Sequence, residues 1–168
     1  MKKIVIAVIT MALIGCASVQ QIKPEDRTFH RIVEVKGSDK DAIYESSKRW
    51  IAHTFNSAKA VIEYQDREAG KIIGNGAIQY PCSGLECIAK GDWKILFTMS
   101  IDAKDERFRM TFSNLQLTWP PQYTTPARAG FKGPLSTQGD LDAVKPVLLA
   151  FGDSMAEFIK KPAVSDDW

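Results

Sequence analysis

Histidine and cysteine are scarce in this 168-residue chain, with two of the first and three of the second. So few imidazole and thiolate ligands leave little to build a metal centre from, and neither His30 nor His53 sits in a local metal-binding spacing. No run of about twenty apolar residues occurs, so nothing reads as a membrane-spanning helix. Charge of one sign is also lacking. Lys and Arg total 22 against 20 Asp and Glu, which gives no electrostatic case for nucleic acid or an anionic bilayer. The glycines of Gly70–Gly76 run from a turn into a predicted strand, the wrong context for a phosphate loop. Asp66, Glu68, Asp105 and Glu106 fall in predicted hairpin turns, where solvated turn chemistry is the default. No catalytic residue, metal or cofactor is assigned from these patterns.

What is present is concentrated at the start. Met1-Lys2-Lys3 precedes an apolar run from Ile4 to Ile14, broken only by Thr10. A basic start and a short apolar core are the layout of an export signal. Leu13-Ile14-Gly15-Cys16 closes the run and resembles the bacterial lipobox. That resemblance implies that residues 1–15 are a lipoprotein signal peptide, cut off before Cys16, whose thiol then carries a diacylglyceryl group. The competing reading is an ordinary signal peptide that happens to contain a cysteine. A processed lipoprotein carries two or three acyl chains, such as palmitate, enough for a stable hold on a bilayer. The membrane is then a partner through the lipid. Ala17, where an Asp would retain the protein at the inner membrane, implies the outer membrane, facing the periplasm. Loss of Lys2 and Lys3 with the signal would also bring the mature chain close to neutrality.

About 150 mature residues suit one domain with one hydrophobic core. Residues 16–28 read as a lipidated N-terminus and polar spacer, 29–160 as the domain and 161–168 as a flexible tail. Cys82 and Cys87 would be the only cysteines left in the domain. In an oxidising compartment their simplest use is a disulfide closing a small loop. A metal site would need more ligands, and a redox pair usually has tighter spacing.

Phe29–Val35 reads as a strand, and Gly37-Ser38 breaks it. Ser38 with Asp41 gives a capping-box-like start to a helix over Asp39–Phe55, whose apolar stripe is Ile43, Ser47, Trp50, Ile51 and Thr54. Four strands follow. Ala60, Ile62 and Tyr64 alternate with polar neighbours, and Lys71–Tyr80 returns with Ile72, Ile78 and Tyr80 on one face, where Gly74 and Gly76 invite close packing. Trp93, Ile95, Phe97, Met99 and Ile101 give the clearest alternation in the chain. Phe108, Met110 and Phe112 continue it, then the pattern slips to Leu115 and Leu117, as a bulge near Ser113-Asn114 would require. Trp119–Gly139 reads as a long Pro-rich loop bearing Trp119, Tyr123 and Phe131. A final helix carries Leu141, Val144, Leu148, Phe151, Met155, Phe158 and Ile159, with its main part starting near Pro146. Gly152 should cost it some stability. Strand, helix, four strands, helix implies a two-layer α+β sandwich, a mainly antiparallel sheet with helices on one face.

Phe29-His30-Arg31-Ile32-Val33-Glu34-Val35, Ala42-Ile43-Tyr44, Trp50-Ile51, Ala58-Lys59-Ala60-Val61-Ile62 and Gly70-Lys71-Ile72-Ile73-Gly74-Asn75-Gly76 together resemble an uncharacterised bacterial family. It is a domain of unknown function with a TATA-binding-protein-like fold, and the resemblance spans roughly Phe29 to Leu117. It implies the order β-α-β-β-β-β-α and transfers no site residues. A DNA-binding saddle needs a basic face with apolar wedges. The predicted exposed face mixes Lys71, Asn75, Lys94, Thr98, Asp102, Arg107, Arg109 and Thr111, so no nucleic acid is expected.

The function this supports is an envelope lipoprotein acting as a non-catalytic binding module for an envelope protein or a small ligand. Trp119, Tyr123 and Phe131 are its candidate partner-binding residues; the other reading is that they pin the loop to the domain. The alternative function is an envelope hydrolase whose carboxylates converge only in three dimensions.

Overall fold

The computed structural model describes residues 19–55 and 61–161; the expected signal peptide and Cys16 lie outside the described residues, as does most of the expected tail. A 3-10 turn at Pro24–Arg27 leads into β1 (Phe29–Glu34), α1 (Lys40–Thr54), β2 (Ile62–Asp66), β3 (Lys71–Gln79), α2 (Glu86–Lys90), β4 (Lys94–Lys104), β5 (Arg107–Trp119), β6 (Phe131–Pro134) and α3 (Gln138–Lys160). The expected order is present, with α2 and β6 as additions.

The strands form one antiparallel sheet in the order β1-β5-β4-β3-β2. β6 also pairs with β5, so β5 serves three neighbours. β1 lies along Arg107–Phe112, and β6 lies along Gln116–Trp119. Between the two stretches sits the expected bulge. Leu96 faces Gln116 but Thr98 faces Ser113, and Asn114 adopts a left-handed φ of 51°, which asparagine tolerates better than most residues. The slip keeps Leu115 and Leu117 in the core after Phe108, Met110 and Phe112. The long loop of the sequence reading is therefore interrupted by a strand. Phe131–Pro134 found no notice because four residues are too few to show a period.

The two long helices, α1 and α3, each bury one stripe against the sheet. In α1 the cap is Asp39, not Ser38: its carboxylate accepts the Ala42 N–H at 2.7 Å. Ile43, Tyr44, Ser47, Trp50 and Ile51 are buried, and the Ser47 hydroxyl is satisfied by the Ile43 carbonyl at 2.7 Å. α3 begins at Gln138 with Thr137 as its cap, eight residues ahead of Pro146. Leu141, Val144 and Leu148 are fully packed through the first turns. Pro146 and Asp142 are exposed, so the carbonyl deprived of its N–H faces water and the helix continues. Gly152 lets β1 pack close to α3: a Cβ there would sit 3.0 Å from the Val33 side chain and 3.4 Å from Arg31, so Val33 would have to give by a few tenths of an ångström. Arg31 then clamps β1 to α3 through two bonds to Asp153 at 2.7 and 2.6 Å and one to the Leu149 carbonyl at 3.2 Å.

Just before β2, Val61 is buried, while Tyr64 on β2 is 48% exposed. The expected inward alternation of Ile62 and Tyr64 fails because the register shifts between them. Gly74 and Gly76 do admit close neighbours. A Cβ on Gly74 would meet the Val61 carbonyl at 2.4 Å, and one on Gly76 would meet the Phe97 ring at 2.5 Å. The Phe97 ring belongs to a cluster with Phe55, Phe112 and Phe151, centroids 5.7–6.3 Å apart.

Gly74→Ala should lower unfolding stability by about 1–3 kcal/mol, since backbone blocks the new methyl. Gly139→Ala, in the first turn of α3 with nothing within 4 Å, should raise it by up to about 1 kcal/mol. Urea unfolding of both variants checks this; equal shifts in one direction would contradict it.

Candidate functional site

The chemistry of the described residues gathers in two places. The first is the junction between the cysteine loop and α3. Cys82 and Cys87 form a disulfide with their Cα atoms 5.2 Å apart, and Cys87 lies in the first turn of α2. Lys90, in the last turn of α2, is held by Glu86 at 2.8 Å, by the Tyr80 hydroxyl oxygen at 3.0 Å and by Asp140 at 3.5 Å. Tyr80 donates to Asp140 at 2.6 Å, and the Thr137 hydroxyl donates to its other oxygen at 2.5 Å. Burial opposes the charge on Lys90, but Glu86, Tyr80 and Asp140 outweigh it and raise its pKa. Burial likewise pushes Asp140 up, yet the bonds from Thr137 and Tyr80 and the Lys90 charge hold it below the ordinary carboxylate value. Burial and the bond to Asp140 raise Tyr80. The ensemble is a latch joining α2 to the start of α3.

Beside it, Trp93, Trp119 and Phe131 stack in sequence with centroids 4.4 Å apart. The Trp119 indole N–H donates to the Ala129 carbonyl at 3.0 Å. Arg128 lies over the Trp119 ring and pairs with Asp92 at 2.7 Å. Two of the three aromatic candidates thus hold the loop against the domain, whereas Tyr123 is 90% exposed. His30 and His53 are both exposed. Among the turn carboxylates, Asp105 accepts the Lys40 N–H at 2.8 Å and Asp66 accepts the Ala69 N–H at 2.9 Å. The Ala69 bond comes first among the influences that lower the Asp66 pKa.

The second place is the outer face of the sheet, away from the helices. A cavity of about 800 Å³ extends over it and around the β3 edge beyond Gly74, where β2 no longer pairs, to Thr54 and Phe55 at the end of α1. One line of side chains crosses four strands along its floor. Asn75 donates to Glu63, Thr98 donates to the Asn75 side-chain carbonyl at 2.9 Å, and Asn114 donates to Thr98 at 3.2 Å. Thr54, Gln116 and Lys132 complete the polar lining, with Phe55 and Phe97 under Gly76 at the open end. The bulge aims Asn114 outward, and β6 brings Lys132 alongside. Nearer the β4–β5 hairpin the same face turns charged: Asp102 pairs with Lys71 at 3.6 Å and Arg109 at 3.2 Å.

A family model described as "Domain of unknown function (DUF4468) with TBP-like fold" matches residues 29–118. The chain belongs to that family. A DUF4468 family protein from Bacteroides ovatus ATCC 8483 is similar in structure, with TM-score 0.52 at 14% identity over 86% of this chain and 92% of that one. A TBP-like protein from Parabacteroides distasonis ATCC 8503 gives TM-score 0.53 at 13% identity over 77% and 92%. At such identities the likeness shows the fold alone. No curated protein matches the chain.

Within this DUF4468 domain, sequence reasoning placed Asn75 and Thr98 on the exposed face but did not see them as a site. Asn114 was visible only as the place where the hydrophobic period slips. Gln116 and Lys132 join through the bulge and β6, which no local pattern announces. The cavity offers amides, two threonine hydroxyls, one carboxylate and one ammonium, a set suited to hydrogen-bonding a polar ligand.

Because the folded-state pKa of Asp140 lies below its unfolded value, its stabilisation is present above about pH 4 and is lost as pH falls through the folded value. The melting temperature of the native protein should therefore exceed that of Asp140→Asn at pH 7, and the gap should close below about pH 4. A gap unchanged by pH would contradict the latch.

Proposed function

We propose that this DUF4468 protein is a non-catalytic, lipid-anchored lipoprotein of the bacterial envelope that binds a small polar ligand on the outer face of its sheet. The observation that carries the binding reading is the line Glu63–Asn75–Thr98–Asn114 along the cavity floor. Its members orient one another, so their remaining donors and acceptors are fixed before a ligand arrives, which lowers the entropic cost of binding. The cavity volume falls in the range usual for small-molecule sites, about 300–1,000 Å³. Glu63 is the only carboxylate lining it among the described residues, and Asn75 occupies that group. A hydrolase using two facing carboxylates would need a second. Support for the anchor comes from the basic start, the short apolar run and Leu13-Ile14-Gly15-Cys16. An address outside the cytoplasm, on the outer membrane facing the periplasm, would leave DNA out of reach despite the fold's name.

Cys16→Ser should move the protein from the membrane to the soluble fraction on cell fractionation; full retention in the membrane would contradict the anchor. Native mass spectrometry of protein extracted from its own membranes should show a bound mass that is about tenfold depleted in an Asn75→Leu/Thr98→Val double variant. Identical spectra would overturn the site.

A further inference from the structure

Four large apolar side chains stand out as the most exposed among the described residues: Tyr123 at 90%, Leu85 at 84%, Ile88 at 82% and Val19 at 67%. Hydrogen bonds and ion pairs link all four to one part of the molecule. Leu85 and Ile88 are three apart at α2, so they share a helical face. Tyr123 follows Gln122, which bridges to Arg128, and the Arg128 guanidinium reaches the Ala89 carbonyl at 3.4 Å and Asp92 at 2.7 Å. Val19 precedes Gln20, whose carbonyl accepts the Gln138 N–H at 2.8 Å. Two residues further, Asp140 holds Lys90 of α2.

We infer that this end of the domain faces the membrane, with Leu85, Ile88 and Tyr123 entering the headgroup region beside the lipid on Cys16. The inference rests on the lipoprotein reading of Cys16. Three peptide units separate Cys16 from Val19, so their Cα atoms lie within about 11 Å of each other. The acylated residue therefore cannot be far from the first turn of α3 and the loop latched to it. Exposed apolar clusters mark protein or membrane contacts, and here the tether supplies the membrane as occupant.

The loop is built to keep its apolar face outward. The Cys82–Cys87 disulfide closes it, and Lys90 and Arg128 fasten it from either side. Its charges are already matched: Glu86 with Lys90, Asp92 with Arg128. Approach to lipid thus strips water from paired groups, not from isolated ions. Tyr123 has the ring and hydroxyl that suit a membrane–water boundary. These side chains orient the domain, while the acyl chains hold it. Since β4 runs about 33 Å from Lys94 to Lys104 at the usual strand rise, the β4–β5 hairpin would point away from the bilayer.

The test uses the full lipidated protein reconstituted into phosphatidylcholine vesicles with brominated acyl chains. Two variants each add one reporter indole: Ile88→Trp at the loop and Lys104→Trp at the far end of β4. The protein should float with the vesicles, and the emission added by Ile88→Trp should be quenched about twofold or more, as expected for a side chain within about 5–10 Å of the acyl boundary. The emission added by Lys104→Trp should be unaffected. Protein that fails to float refutes lipidation at Cys16 and the inference with it. Protein that floats while both reporters respond alike refutes the facing alone and leaves the loop to a protein partner.

Discussion

One residue too many in β5 organises this domain. The bulge at Ser113-Asn114 divides the strand into a first stretch that pairs with β1 and a second that pairs with β6. Without it, Leu115 and Leu117 would leave the core, because side chains on a strand alternate and a slip of one residue exchanges faces. With it, the apolar face is continuous from Phe108 to Leu117 while Asn114 is set outward in a left-handed conformation. The same local feature therefore completes the core on one side and the polar line Asn75–Thr98–Asn114 on the other. Bulges commonly re-aim a side chain in this way.

The two ends of the domain differ in what holds them. At the hairpin end, Asp105 and Glu106 tie the β4–β5 turn to the start of α1 through the backbone of Lys40 and Gly37. At the other end, the Lys90–Tyr80–Asp140 cluster joins the disulfide loop to α3, and the Trp93–Trp119–Phe131 stack holds the loop after β5 against the start of β4. A half-buried, hydrogen-bonded ion pair of this kind loses stability when one side is removed, since the remaining charge is left without a partner. It adds specificity of placement for the disulfide loop, which has no core of its own: none of the α2 residues is buried.

Much of the fold was legible because its signals are periodic. The alternation from Ile95 to Ile101 and the helical stripe of α1 each repeat often enough to outweigh local exceptions, and the bulge itself shows as a phase slip between Phe112 and Leu115. The failures have the opposite character. Four residues of β6 carry no period. Pro146 argued for a late start to α3, but an exposed proline with a solvent-facing partner carbonyl is tolerated where Thr137 caps the helix and Leu141 and Val144 pack beneath it. Tyr64 kept its place in the alternation on paper, and a register shift turned it outward. The candidate site was the least legible part. It assembles residues from β2, β3, β4, β5 and β6, and only the sheet order brings Glu63 within reach of a line that ends at Asn114.

A binding site on the outer sheet face, organised by the bulge, is the central claim. The direct measurement is a comparison of amide NMR spectra of protein isolated with its bound molecule and after that molecule is removed by refolding. The claim predicts that the largest shifts fall on the side-chain amides of Asn75, Asn114 and Gln116 and on the backbone of Thr98. Shifts confined to α1 and α3, or to Trp119, Tyr123 and Phe131, would contradict it.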